Sequence, residues 1–155
     1  MNLFGLMETS GSAMQAERMR AEIVAANMAN AETTRTETGE PYKRQHVIFA
    51  ANPSDQEFAS SLGAAAAPTV LSAVPAEPAG GVHIAEVFED TAPPLKRYDP
   101  GHPDAGPDGY VAYPDINPLT EMVDLMGATR AYGLNSSAVH AEKGMITSAL
   151  DIARS

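Results

Sequence analysis

The stretch PLTEMVDLMGATRAYGLNSSAVHAEKGMITSALDIA, residues 118–153, decides the fold. Its spacing predicts one long helix. Asn117 is a good N-cap, and Pro118 falls at the first helical position, where its missing N–H costs nothing. The apolar residues form two rows. Leu125, Tyr132, Val139, Ile146 and Ala153 recur every seven positions. Leu134, Ala138, Ala141, Met145 and Ile152 lie on a different face, about 140° round the helix. A helix lying on one side of a globular domain needs one apolar face. Two faces predict neighbours on both sides.

Residues 3–31 suit a second long helix. Met7, Met14, Ala21 and Met28 form one heptad row, and Leu3, Ser10, Glu17, Val24 and Ala31 the other. Ser10 and Glu17 interrupt this coiled-coil-like seam. At ~1.5 Å per residue the segment spans about 43 Å, long for a helix packed on a small domain. The run Asn27-Met28-Ala29-Asn30-Ala31-Glu32-Thr33-Thr34 closes it, since Asn and Thr cap and turn well. It is expected to bend the chain into the middle segment.

Composition agrees with helical ends and a different middle. All twelve prolines fall between Pro41 and Pro118, whereas the eight methionines lie outside that span. Pro breaks helices; Met favours them and packs adaptably. Residues 42–49 and 82–88 suit strands, and 95–98 and 109–113 suit shorter ones. Between the first two, residues 51–80 are rich in Ala, Pro, Ser and Gly and suit a flexible insertion. The expected class is α+β: long N- and C-terminal helices pairing as a coiled coil, with a small Pro-rich β domain between them. The segments are 1–31, 32–116 and 117–155.

The chain of 155 residues carries a net charge of −10. That argues against nucleic acid as a partner and against an anionic membrane surface. Residues 52–115 hold ten acids and two bases, so most of the charge lies there. The ends are nearly neutral and free to pack. The absence of Cys excludes a disulfide framework, a thiolate zinc site and a Cys nucleophile. No run approaches the roughly 18 apolar residues of a membrane span. The N-terminus lacks the basic region of a signal peptide.

Tyr98 to Tyr110 is the densest polar cluster. Asp99, His102, Asp104 and Asp108 could together meet a hard cation, the alternative reading of a metal- or ligand-binding module. Their spacing matches no EF-hand, and Asp-Pro-Gly and Pro-Asp-Gly are strong turn signals. A structured turn is the expectation, with no metal, cofactor or catalytic residue. His140 reads as an ordinary helix-surface histidine, and no Ser-His-Asp order or Gly-rich phosphate loop is present.

Several motifs resemble those of the bacterial flagellar axial protein family, in particular its proximal rod members. They are Ser10 to Arg18 leading to Asn27-Met28-Ala29-Asn30 and Thr33-Thr34-Arg35-Thr36, then Gly39-Glu40-Pro41-Tyr42. The run Tyr98-Asp99-Pro100-Gly101-His102-Pro103-Asp104-Ala105 is more specific, and Glu121-Met122-Val123-Asp124, Arg130-Ala131-Tyr132 and Asn135 follow. Gly133 departs, standing where the family usually has Glu.

The resemblance implies a structural rod subunit without catalysis. Its terminal helices would pack with copies of themselves, other rod proteins and the membrane-ring or rod-adaptor proteins. The assembly would transmit torque and enclose the export channel of a periplasm-spanning rod. It also implies type III export without signal cleavage, no nucleic-acid partner and no direct membrane insertion. Met7, Met14, Val24, Met28, Leu125, Tyr132, Leu134, Val139, Met145, Ile146 and Ile152 are the candidate assembly residues. Asn27, Asn30, Asp99, Pro100, Gly101, His102, Pro103, Asp104, Arg130 and Asn135 are the motif residues.

Overall fold

A computed structural model describes residues 3–52 and 80–154, with side chains from residue 5. Residues 53–79, most of the expected insertion, lie outside the described residues. The elements in chain order are α1 (Leu3–Ala29), β1 (Gln45–Ala51), β2 (Val82–Glu89), β3 (Leu95–Tyr98), β4 (Tyr110–Tyr113) and α2 (Pro118–Arg154). The class is α+β: two long terminal helices flank small two-stranded sheets, β1 with β2 and β3 with β4.

Helix α2 starts where its capping residues place it. Asn117 Oδ1 accepts from Leu119 N at 3.0 Å, and Asn117 O accepts from Glu121 N at 3.1 Å. The first bond satisfies a donor that a helix start leaves orphaned, and the second is the first intrahelical bond. Helix α1 stops at Ala29, two residues before the sequence expectation. Asn30 is the reason: its side-chain Nδ2 donates to Ala26 O at 2.9 Å, and its own O and Oδ1 accept from Thr33. A short polar side chain competes with the backbone for the last carbonyls and turns the chain.

The chain divides into two compact units. One comprises the described residues within Met1–Ala16, Phe49–Ile84 and Tyr132–Ser155, the other Glu17–Ile48 and Ala85–Ala131. In the second unit Val24, Val111, Tyr113, Pro114, Ile116 and Ala128 are buried, joined by buried Asn27 and Glu121. There α1 and α2 run in opposite directions, with Asn27 against Glu121 and Arg20 against Asp124. In the first unit Ala16, Ser10 and Glu142 are buried among the described residues.

The ladder of β3 and β4 is antiparallel, with Leu95 opposite Tyr113 and Tyr98 opposite Tyr110. Gly109 closes it at a φ of +75°. A Cβ there would also lie 2.8 Å from the Tyr98 ring, so the turn and the ring contact both require glycine. The pairing of β1 with β2 is closed by Asn52 N to Gly81 O at 3.0 Å and Asp90 N to Arg44 O at 2.7 Å. Strand β1 starts at Gln45 rather than at Tyr42. Tyr42 is drawn instead to the end of α1 and its bend, its N donating to Thr33 O at 3.1 Å and its hydroxyl to Asn27, while Lys43 pairs with Glu40 and Arg44 with Glu121.

Candidate functional site: two polar junctions and an outward helix face

Asn27 sits on the last full turn of α1 with 1% of its surface exposed. Its amide uses all of its principal hydrogen-bonding directions. Nδ2 donates to Gln45 O at 2.8 Å and to Glu121 Oε2 at 3.2 Å. Oδ1 accepts from Gln45 N at 2.9 Å and from the Tyr42 hydroxyl at 3.1 Å. The side chain thus pairs with both backbone groups of Gln45, as a neighbouring strand would. A buried polar group is tolerated when satisfied in this way. Burial, aided by the carboxylates of Glu89 and Glu121, raises the Tyr42 phenol above its ordinary pKa, so it remains a donor.

Glu121, also 1% exposed, carries the junction into α2. Its Oε1 lies 2.6 Å from an Arg44 Nη, an ion-pair contact whose angle departs from that of a good hydrogen bond. Arg20 reaches Asp124 at 3.4 Å and Glu17 at 3.7 Å. Charges of alternating sign therefore run through Glu17, Arg20, Asp124, Arg44 and Glu121. A carboxylate this deeply buried is stable only beside such a partner.

The second junction joins the two motif-bearing loops. Thr34 Oγ1 donates to Asp104 Oδ2 at 2.8 Å, and an Arg35 Nη lies 3.6 Å from Asp104 Oδ1. Asp104 N donates to His102 Nδ1 at 3.1 Å, which makes that ring nitrogen an acceptor. The loop winds through successive turns, with His102 N to Asp99 O at 3.3 Å, Ala105 N to His102 O at 3.0 Å and Gly109 N to Gly106 O at 2.9 Å. Pro100, Gly101 and Pro103 shape these turns. Arg97 caps the adjoining sheet, 3.9 Å above the Tyr113 ring.

The four residues of the metal alternative do not converge. Asp104 is held by Thr34 and Arg35, and among the described residues no group of three His, Asp or Glu side chains is placed to hold an ion. A cleft of about 360 Å³ beside the first junction is lined by four prolines, Pro41, Pro93, Pro94 and Pro114, together with polar residues that include Tyr42, Arg44 and Asp90. Its Glu40 and Lys43 are paired with each other at 2.8 Å.

The candidate assembly residues fall into two groups. On α1, Val24 is buried and Met7, Met14 and Met28 are half-buried. On α2 the inward row is Glu121, Ala128, Asn135 and Glu142, seven residues apart and mostly polar. Leu125, Val139 and Ile146 are half-buried beside it, and Tyr132 is exposed at its flank. The opposite face presents Leu119, Met122, Val123, Met126, Leu134, Met145 and Ile152 to solvent, with Leu134 67% and Ile152 76% exposed. Arg130 lies on this same outward face. Apolar periodicity locates the outward stripe but passes over the inward polar row. The partners Arg44 and Gln45 carry no signal of their own, apart from a cation in an otherwise strand-like run, and Thr34 stands in the motif after α1 without any sign of its partner.

Known proteins resemble this chain along these same segments. Residues 7–35, which hold most of α1 and its bend, match the family described as "Flagella basal body rod protein". Residues 108–152, which hold β4 and most of α2, match "Flagellar basal body rod FlgEFG protein C-terminal". Along the whole chain, the "Flagellar basal-body rod protein FlgC" of Borreliella burgdorferi is 34% identical, with 98% of each chain covered. That of Bacillus subtilis is 36% identical over 99% of this chain and all of the relative, and that of Escherichia coli O157:H7 is 32% identical over 98% of each. Paired terminal helices with these two matches define a structural subunit of the flagellar basal-body rod, not an enzyme. Within that class the chain belongs to the FlgC family. As a rod protein it assembles with other flagellar rod components in the basal body.

Proposed function

We propose that the chain is a proximal rod subunit built as three segments, residues 1–31, 32–116 and 117–155. The terminal segments pair as a coiled coil and pack against copies of the chain, other rod proteins and the membrane-ring or rod-adaptor proteins. The assembled helices transmit torque and wall the export channel of a rod that spans the periplasm. The chain reaches that place through the flagellar type III apparatus with no signal cleaved. The acidic middle faces outward, where solvated charge is tolerated.

One observation supports this reading above the others. Helix α2 is covered on the face of Glu121 and Ala128 and exposes an apolar stripe on the opposite face. A stripe of that length on one subunit fits the packing of a neighbouring helix. The test is Leu134→Asp in cells that lack the native protein. Leu134 is 67% exposed, so the purified variant is expected to unfold at the same urea concentration as the parent. Rods are expected to be missing and motility lost. Rods of normal number containing the variant overturn the role given to this face.

A further inference from the structure

In the two-stranded sheets each of the four strands presents one edge that no other described strand covers, and of the four only β2 and β3 carry Asp, Glu, Lys or Arg. The stretches Glu86–Glu89 of β2 and Leu95–Tyr98 of β3 both lie in the unit comprising Glu17–Ile48 and Ala85–Ala131. Their charges are opposite. β2 carries exposed Glu86 and Glu89, and β3 carries Lys96 and Arg97, the only bases between residues 52 and 115. Each edge couples charge to apolar surface, with an aromatic two residues on and so on the same face of the strand: Phe88 after Glu86, Tyr98 after Lys96. Arg97 is committed to Tyr113, to whose hydroxyl it donates at 2.7 Å. Neither Glu86 nor Lys96 enters an ion pair among the described residues.

An open edge is a row of unpaired N–H and C=O groups that another strand can complete. Charge decides which strand. Two β2 edges would oppose Glu to Glu, and two β3 edges would oppose Lys to Lys. Like charges directly across a ladder are destabilising and opposite charges favourable. Copies carrying −10 each repel at long range, so a contact between their middle segments must place the scarce bases on acids. β2 against β3 is the pairing that does so. Because the two edges are different surfaces, the contact is head-to-tail, and repetition extends it along an open helical array instead of closing a dimer.

We infer that the β3 edge of one copy docks on the β2 edge of the next, with Lys96 set against Glu86. This rests on the reading that copies of the chain pack together in the rod, and it adds a contact outside the helices. The native chain has no Cys, which permits a clean crosslinking test. Full-length Glu86→Cys and Lys96→Cys chains are co-expressed in flagellated cells lacking the native protein, and basal bodies are oxidised. A disulfide-linked dimer is expected when both variants are present and is expected to be lost when either is expressed alone. Equal dimer from one variant alone, or none in rods that contain both, overturns the proposal. Rods that contain neither variant count against the rod-packing reading instead. The purified chain then decides: Lys96→Glu is expected to abolish self-association, and Lys96→Glu combined with Glu86→Lys to restore it. Failure of the swap to restore association in a folded protein also overturns the proposal.

Discussion

At the residue scale, one asparagine does what a strand partner would do. Asn27 holds both backbone groups of Gln45 while touching Tyr42 and Glu121, so it joins the end of α1, the start of β1 and the first turn of α2. The cost of losing it comes from what it leaves behind. Asn27→Leu orphans the Gln45 N–H and C=O and the Tyr42 hydroxyl. Each unmet buried group costs about 1–3 kcal/mol, so a total loss of about 3 kcal/mol or more is expected in urea unfolding. Asn27→Asp is expected to be worse at neutral pH, because it sets a second carboxylate against Glu121. Two such carboxylates raise one another's pKa, so acidification should restore part of the loss. A pH-independent deficit for Asn27→Asp would show that the Glu121 contact is not what matters. Asp104 works similarly through Thr34 and Arg35, which explains why the Thr-rich bend and the Tyr-Asp-Pro-Gly-His-Pro-Asp-Ala turn occur in one chain.

At the element scale, α2 shows how far periodicity reads a helix and where it stops. Its limits, Pro118 and Arg154, follow from the Asn117 cap and the long apolar repeat. The outward stripe through Leu134, Met145 and Ile152 was legible because exposed apolar residues keep helical spacing. The inward row was not, because Glu121 and Glu142 look like solvent residues until a partner such as Arg44 is known. The strands were legible in place but shifted at their ends: Tyr42 has a strand-like side chain, yet Thr33 claims its backbone N–H. Gly133 tests the helix directly. A Cβ there meets nothing within 4 Å, so Gly133→Ala is expected to stabilise the isolated chain by about 1 kcal/mol, measured as a raised urea midpoint. A drop in stability would mean that the open space beside Gly133 is not open.

At the scale of the whole molecule, the distribution of proline and charge becomes a division of roles. The ends, free of proline beyond the first residue of α2, form α1 and α2, and the acidic middle supplies the sheets and the turn loop. The last turns of α2, from Lys143 through Ala153, are exposed at nearly every position, so little packing holds them in a single subunit. Brief proteolysis of the dilute chain is expected to cut there first, and the same bonds are expected to resist in isolated basal bodies. Equal cleavage rates in both states would separate the end of α2 from assembly.

Hydrophobic spacing, caps and turn residues act over a few neighbouring positions. The sequence by itself therefore determined the two helices, the four short strands, the bend after α1 and the structured turn at residues 99–109. Its motifs also pointed to the axial family. Only the tertiary structure decided which face of α2 is covered, that Asn27 and Glu121 are buried together, and that Thr34 meets Asp104 across 70 positions of chain. A buried polar side chain is stable only through partners distant in sequence. Nothing local to Asn27 or Glu121 announces Arg44, Gln45 or Tyr42 before the chain has folded.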